Sequence, residues 1–317
     1  MIKRILGILA GISVLMGCAS AAQAPYTVGI CQIVTHEAVE EAAQGFMDAL
    51  DEALGAGNVI YDSQTASGDI NMCATVINSF VADEVDLIVA NGTPALQAAA
   101  AATGDIPILG TSITEYGVAL GIDDFDGTVG GNISGASDLA PLDQQAQMIP
   151  DLFPEAQKVG LIYCSAEANS QYQVDTVKAH LEALGLEATL YPFTDSNDLS
   201  AVAQVACSES DVIYTPTDNT VAANATILDN ICQPSGVPVV AGESGICAAC
   251  GVATLSISYY DLGVVTGRMA AQVLTGEADI STMPIAYVQN VTHLYNPYIC
   301  DALGIAVPDS YVPLAVE

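Results

Sequence analysis

Residues 211–220, DVIYTPTDNT, hold a short apolar run followed by a polar loop. The run 212–214 is β-branched and aromatic and predicts a buried strand, and a helix is expected to open near Thr220. An acid at a helix start is favoured in its ionised form by unpaired backbone N–H groups and the helix dipole. Asp218 is therefore a candidate partner for a ligand's ammonium group. A role as helix cap only is the alternative.

The same order of strand, loop and helix recurs along the chain. Apolar periodicity predicts strands at 27–34, 58–62, 85–90, 106–109, 158–163, 187–192, 212–214, 237–241 and 253–257. Helices are predicted at 37–54, 69–81, 95–102, 142–153, 170–184, 199–207, 221–232, 260–274 and 297–303, with a last strand near 286–294. This alternation predicts an α/β protein with doubly wound parallel sheets.

A glycine-rich stretch, 127–135, interrupts the alternation and is interpreted as a crossover between two lobes. The predicted division is a leader at 1–24, a first lobe at 25–132 plus roughly 256–283, and a second lobe at 133–255 plus roughly 284–317. Late elements that return to one lobe and then the other would give a hinge of several crossovers.

The first residues have the layout of an export signal. Lys3 and Arg4 precede the apolar run 5–16, which is too short to span a bilayer. Residues 15–18, LMGC, are similar to a bacterial lipobox, with Cys18 as the lipidated residue. Ordinary cleavage within 19–24 is the alternative. Both interpretations place the protein outside the cytoplasm, and the first anchors it to a membrane.

The chain is strongly acidic, with 37 acidic and 5 basic residues. Beyond the leader the basic residues are Lys158, Lys178 and Arg268. Such a surface repels nucleic acid and anionic lipid, which excludes both as partners. Because salt screens the self-repulsion, a high-salt habitat is a hypothesis. A merely acidic secreted protein is the alternative.

Eight cysteines follow Cys18, and an even number in an oxidising compartment predicts disulfides. Sequence alone leaves 105 pairings open if all eight are joined. The pair Cys247 and Cys250 forms a CxxC motif without a second CxxC or a nearby histidine. A structural disulfide is therefore favoured there over a redox or metal site.

Ligands of open α/β sheets bind at the carboxyl ends of the strands. The predicted loops there are rich in hydroxyl and amide side chains, carry a few acids and have no Lys or Arg. Helix starts after Thr93 and Ser170 offer N–H groups for a ligand carboxylate, and Asp218 and Glu243 offer charge for an amino group. The chain has no GxSxG, HExxH or GxxxxGK[ST] motif and only three scattered histidines, so we expect no enzyme activity, metal or cofactor.

Six segments resemble one protein family: 29–50, 86–100, 131–139, 159–174, 212–222 and 256–277. The most specific are EANS at 167–170 and TDNT at 217–220, in this order and at this separation. They are similar to extracytoplasmic solute-binding proteins of ABC transporters, in the branch for tryptophan, tyrosine and phenylalanine. The paucity of lysine, the extra cysteines and Glu243 in place of the more usual Asp depart from the pattern.

The resemblance implies a type I periplasmic-binding-protein fold whose two lobes close on an aromatic amino acid for delivery to an ABC permease. It implies a monomeric binding protein rather than an enzyme. The residues it places at the ligand, together with their neighbours in the two specific motifs, are Gln32, Thr93, Thr111, Ser165, Glu167, Asn169, Ser170, Asp218, Asn219 and Glu243. For Tyr172 and Tyr259, stacking on an aromatic ligand competes with ordinary packing.

Three alternatives stay open from the sequence. The same fold is compatible with a nucleoside, a sugar or a branched aliphatic amino acid as ligand. A sensor that reports to a membrane kinase would share the fold, and so would an enzyme such as a racemase. The racemase would need paired acid and base groups across the cleft, and the sequence offers no convincing cysteine pair.

Overall fold

A computed structural model of the chain describes residues 24–288 and 290–315. The Cys18 and leader predictions therefore lie outside the described residues. The strands are β1 (Tyr26–Gln32), β2 (Val59–Thr65), β3 (Leu87–Asn91), β4 (Ile108–Ile113), β5 (Ile133–Ser137), β6 (Lys158–Cys164), β7 (Glu187–Phe193), β8 (Val212–Thr215), β9 (Val239–Ala241), β10 (Ala253–Ser256), β11 (Ala286–Tyr287), β12 (Thr292–Tyr295) and β13 (Val312–Pro313).

Helices alternate with most of these strands. They are α1 (Glu37–Leu54), α2 (Ile70–Ala82), α3 (Thr93–Ala102), α4 (Tyr116–Leu120), α5 (Leu142–Leu152), α6 (Ala168–Ala183), α7 (Ser196–Glu209), α8 (Asn219–Ala223), α9 (Ala225–Ser235), α10 (Ser244–Cys250), α11 (Tyr259–Leu274) and α12 (Pro297–Leu303). None of the helices in the described ranges combines the length and hydrophobicity needed to cross a bilayer.

The strands form two sheets, which confirms the predicted α/β class. The first has the order β11-β5-β4-β3-β1-β2 and the second β13-β12-β10-β9-β8-β6-β7. All neighbours pair in parallel except β10 and β12, which are antiparallel. We call each sheet with the helices that cover it the first and the second lobe. Fully buried apolar strands such as β3 lie at the centre of each lobe.

The chain passes between the lobes three times: after β5, after β10 and after β11. The strand β5 pairs with β4 in the first sheet, so the glycine-rich stretch does not by itself mark the change of lobe. A side chain at Gly135 would lie 2.1 Å from the carbonyl oxygen of Gly110. The glycine there reflects a close approach of two strands, where the sequence suggested a loop.

Two further predictions require correction. The helix predicted at 221–232 is two helices, α8 and α9, which meet at Asn224, where the backbone leaves helical geometry (φ −128°, ψ 18°). The strand predicted near 286–294 is two strands in different sheets, because the third crossing falls between them. The sequence analysis also missed α4, α10 and β13, which are all short.

The helix α11 returns from the second sheet to the first and packs closely on α1. Added side chains at Gly45 and Gly263 would lie 2.1 Å and 2.0 Å from backbone carbonyl oxygens of the opposite helix. This contact fastens the second crossing, which runs from β10 to α11, to the core of the first lobe.

All eight cysteines of the described residues are buried free thiols, so the predicted disulfides are not present in this structure. Cys247 and Cys250 lie one turn apart on α10, and Cys247 donates to the carbonyl oxygen of Gly251 at 3.7 Å rather than bonding to Cys250.

Candidate ligand-binding cleft

The carboxyl ends of the parallel strands of the two lobes face one another across a cleft. Nε2 of His36, at the start of α1, lies 3.5 Å from Oδ1 of Asn219, at the start of α8. Nearby, a side chain added at Gly245 on α10 would lie 3.6 Å from Cβ of Glu37 on α1. These contacts join loops of both lobes, as the binding geometry of open α/β sheets requires.

A cavity of about 620 Å³ opens on one side of this cleft. The first lobe contributes the loops after β1, β2 and β3, and the second contributes the loops after β6 and β7 and the start of α8. Two of the ten predicted site residues, Glu167 and Asn219, line it. The volume falls within the range of small-molecule sites.

Asp218 is almost completely buried at the start of α8. Its Oδ1 accepts from the backbone N–H of Val221 at 2.8 Å, and its Oδ2 accepts from that of Cys164 at 2.7 Å. Burial and then the nearby Glu167 raise the pKa of Asp218, although these two N–H groups lower it. The expectation that the helix start alone keeps this carboxyl ionised is therefore corrected.

Glu167 is also buried and joins the starts of α6 and α8. Its Oε1 accepts from the backbone N–H and the hydroxyl of Thr220 at 2.9 and 2.7 Å. Its Oε2 accepts from the backbone N–H of Asn219 at 3.1 Å and from the Asn219 side chain at 2.7 Å. These bonds position the loop that carries Asp218.

Glu243 caps α10, where its oxygens accept from the backbone N–H groups of Gly245 and Ile246, each at 2.6 Å. Burial raises its pKa to about 7 against these bonds, and the charges of Glu37 and Asp138 add to the rise. The three predicted acids of the second lobe thus all hold backbone N–H groups.

The other predicted residues of the second lobe differ in exposure. Ser165 is exposed and donates to the carbonyl oxygen of Phe193 at 3.1 Å. Asn169 and Ser170 are buried in the first turn of α6. The amide of Asn169 donates to the carbonyl oxygen of Thr217 at 3.1 Å, which ties α6 to the loop after β8.

In the first lobe, Gln32 is half-buried at the end of β1, beside Asn91 of β3. Thr93 is buried at the start of α3, and Thr111 is fully buried at the end of β4. The neighbouring Ser112 has a left-handed backbone (φ 55°) beside an irregularity in the pairing of β4 with β5. Such backbone conformations in non-glycine residues cluster at functional sites.

The buried polar atoms without a hydrogen-bond partner among the described residues include four at or near the strand ends of the cleft. They belong to Thr111 (Oγ1), Ser112 (Oγ), Asp138 (Oδ1) and Asn169 (Oδ1). Burying such atoms unpaired is costly. These loops therefore keep spare hydrogen-bonding capacity on both lobes.

Asp138 was missed by the sequence analysis because it follows β5, the strand that was not predicted. It is buried, and its Oδ2 accepts from the hydroxyl of Tyr259 at 3.1 Å. Burial raises its pKa to about 6, and the hydrogen bond from Tyr259 opposes this rise. The alternation of strands and helices was the available signal, because another strand is expected between the strand that ends at 109 and the helix that begins at 142.

The helix starts of the cleft fall into two groups. The starts of α8 and α10 are capped by Asp218 and Glu243. The starts of α3 and α6, preceded by Gly92 and Glu167, have no side-chain cap. Uncapped helix starts attract anions, while the buried carboxyl groups nearby favour a cation. The cleft therefore offers complementary charge to both ends of a zwitterion.

Two doubly wound sheets, three crossings between them and a polar cleft at their strand ends define a type I periplasmic binding protein. Known structures agree. An ABC domain from Streptococcus pneumoniae in complex with L-Trp is 31% identical, with a TM-score of 0.87 over 92% of this chain and 99% of that one. A ligand-free, open substrate-binding protein with adhesive properties from Clostridium difficile is 33% identical, with a TM-score of 0.69 over 92% and 100%.

The model of the ABC transporter substrate binding protein family matches residues 27–317, and the chain belongs to this family. A tyrosine-binding protein from Clostridioides difficile is 30% identical over 316 residues, which cover 95% of this chain and 91% of that protein. The protein is thus an extracytoplasmic substrate-binding protein and not an enzyme, and its partners are a small-molecule ligand and an ABC permease.

Proposed function

We propose that the protein binds a free aromatic amino acid between its lobes and delivers it to an ABC permease. Relatives at about 30% identity support the ligand class, since one is named for tyrosine and another was crystallised with L-Trp. The observation that carries the proposal is the group of buried polar atoms without hydrogen-bond partners at the strand ends of both lobes, among them those of Thr111, Asp138 and Asn169.

The ammonium group is assigned to the acidic part of the cleft. Asp138 has one oxygen without a partner, whereas both oxygens of Asp218 and of Glu243 already accept backbone N–H groups. A cation beside Asp138 would lower its raised pKa and offset the cost of burying the charge. Asp218 and Glu243 contribute negative potential, and the remaining lone pairs of their oxygens can accept further hydrogen bonds from the ammonium group.

The carboxylate group is assigned to the uncapped starts of α3 and α6. Thr93 lies in the first turn of α3, and Asn169 and Ser170 lie in the first turn of α6. Backbone N–H groups at such starts hold anions without a basic side chain. Thr111 and Ser112 supply hydroxyl groups from the first lobe.

The aromatic ring is assigned to the apolar part of the cavity, where Ile33, Val34 and Pro94 form the wall. Of the two tyrosines considered for stacking, Tyr259 is buried and engaged with Asp138, so its role is positional. Tyr172 is half-buried on α6, and the charge of Glu115 in the first lobe contributes to its raised pKa. Tyr172 is therefore the better candidate for contact with the aromatic ring of a ligand.

Binding is proposed to occur by closure of the lobes. At similar sequence identity, the TM-score is 0.87 against the L-Trp complex and 0.69 against the ligand-free, open protein. The relative placement of the lobes thus supports a closed arrangement, which ligand contacts from both sides would stabilise. We further propose a monomer anchored through a lipid on Cys18.

A ligand panel tests the proposal. Thermal unfolding is followed with L-tyrosine, L-tryptophan, L-phenylalanine, L-leucine, uridine and galactose. A ligand at 100 times its dissociation constant stabilises the folded state by about 2.7 kcal/mol. We expect a rise in the unfolding midpoint with aromatic amino acids alone. If the unfolding midpoint rises with uridine or galactose but not with the aromatic amino acids, the proposed ligand class is wrong.

A further inference from the structure

The eight buried cysteines include one pair with sulfur atoms 3.1 Å apart and a second pair that shares one core cluster. We propose that Cys207 with Cys232, and Cys31 with Cys73, form disulfides in the exported protein, one inside each lobe. The remaining four thiols stay reduced. The family's extracytoplasmic location supplies the oxidising environment in which such bonds persist.

The first pair joins the last turns of α7 and α9. The two sulfur atoms lie 3.1 Å apart, in a cluster that includes Ala203 and Leu228. A disulfide needs the sulfurs about 1 Å closer, a change within the range of small side-chain rotations. Both residues are buried, so the bond would lie in the core of the second lobe.

The second pair joins β1 to the first turn of α2. Cys31 and Cys73 are both fully buried in the core of the first lobe, beside Ile77. The two thiols belong to one core cluster and each shifts the pKa of the other, so the two side chains lie close together. The bond would fasten the strand that carries Gln32 to the helix that borders the cavity.

Three of the remaining thiols have other partners. Cys164 donates to the carbonyl oxygen of Thr194 at 3.4 Å, Cys300 to that of Val252 at 3.4 Å, and Cys247 to that of Gly251 at 3.7 Å. Burial raises the pKa of Cys250 and so disfavours its thiolate.

Each bond forms by exchange with a disulfide oxidant, such as oxidised glutathione, before the folding chain buries the sulfurs. The thiolate of one cysteine attacks the oxidant and releases one thiol. The partner cysteine then attacks the mixed disulfide and releases the second thiol. One S–S bond forms in the protein and one breaks in the oxidant, and two protons and two electrons pass to the two released thiols.

Neither pair connects the lobes, because both members of each pair lie within one lobe. The bonds would stabilise each lobe by restricting its unfolded chain and would leave the movement between lobes free. Oxidation is therefore expected to change stability and not ligand affinity.

Differential alkylation of the protein secreted by its host tests the pairing. Free thiols are labelled in denaturant, disulfides are then reduced and labelled with a second reagent, and peptides are mapped by mass spectrometry. We expect the second label on Cys31, Cys73, Cys207 and Cys232 and the first label on the other four. The first label on all eight would overturn the proposal, and so would a bond between Cys232 and Cys250.

A matched pair of variants separates the bond from the general effect of losing a buried thiol. Reduction is expected to lower the unfolding midpoint of the unmodified protein by about 5 °C or more. Cys207→Ala should lose a large part of this response, and Cys300→Ala should keep all of it. Equal responses in both variants would contradict the bond between Cys207 and Cys232.

Discussion

The two sides of the cleft satisfy their buried polar groups in different ways. On the second lobe, Glu167, Asp218 and Glu243 have both oxygens engaged by N–H groups of nearby loops and helix starts. On the first lobe, Thr111 and Asp138 each keep an unpartnered oxygen. The buried acids of the second lobe thus mainly hold loops in place. The buried acid of the first lobe, Asp138, has an oxygen that can accept a hydrogen bond from a ligand.

The largest effect should come from breaking the second-lobe arrangement with Asp218→Ala. The change leaves the N–H groups of Cys164 and Val221 buried without partners, and each costs about 1–3 kcal/mol. We expect a loss of about 4 kcal/mol in the free energy of unfolding, measured with denaturant.

Asp69→Ala is the matched control for this variant. Asp69 also caps a helix, α2, but it is exposed. Its loss should cost about 1 kcal/mol. Equal losses in the two variants would show that Asp218 is an ordinary cap.

The next effect is a dependence of stability on pH. The folded-state pKa values of Glu243, about 7, and Asp138, about 6, lie above those of the unfolded chain. The folded state therefore takes up protons more readily. The contribution of these two groups to the free energy of unfolding is fully present below about pH 4. It is lost as the pH rises through 6 and 7. For Glu243 the change is on the order of 3 kcal/mol.

Thermal unfolding of the ligand-free protein between pH 5 and pH 8 measures this dependence. About 1 M salt reduces the Debye length to about 3 Å and so suppresses the contribution of the acidic surface. We expect a higher midpoint at pH 5, and a flatter profile for Glu243→Gln. A midpoint that rises toward pH 8 in high salt would contradict the raised pKa values.

A selective effect on binding is expected from Asp138→Asn. The amide still accepts from Tyr259 but no longer provides charge for an ammonium group. We expect the affinity for the amino acid at pH 8 to fall about tenfold or more, which is 1.4 kcal/mol. The unfolding midpoint of the ligand-free protein should not fall. Asp143→Asn, on the exposed face of α5, should leave the affinity unchanged.

The contact between His36 and Asn219 should matter least. Its 3.5 Å separation is long for a hydrogen bond, and burial lowers the pKa of His36, which favours the neutral ring. We expect His36→Gln to change the ligand dissociation constant by less than about threefold, under 1 kcal/mol. Calorimetric titration measures it, and a tenfold loss would make this contact a main closure element.

The long amphipathic elements could be predicted from the sequence, because one apolar face determines them. The predicted bounds of α1 and α12 agree with the structure. The strand β5 was missed although the alternation of elements called for one, because its glycines resemble a loop. A side chain at Gly135 would clash with a carbonyl oxygen of β4, and the local pattern does not show this approach of two segments. Asp138 was missed for the same reason.

The sequence predicted where the site residues lie but not which hydrogen bonds they make. The strand-end rule placed Thr111, Asn169, Asp218 and Glu243 at the cleft loops. Whether a carboxyl oxygen is engaged or unpartnered depends on loops that meet only in the fold, such as the bond between Asp218 and the N–H of Cys164. Sequence periodicity does not reveal such contacts between distant segments.

Calorimetric titration at pH 8 tests whether the cleft recognises both charged ends of a zwitterion. It compares L-tyrosine with 3-(4-hydroxyphenyl)propionate, which lacks the ammonium group, and with tyramine, which lacks the carboxylate. We expect L-tyrosine to bind and each analogue to bind at least about 100-fold more weakly, a difference of about 2.7 kcal/mol. An analogue that binds as tightly as L-tyrosine would contradict recognition of a zwitterion between the two lobes.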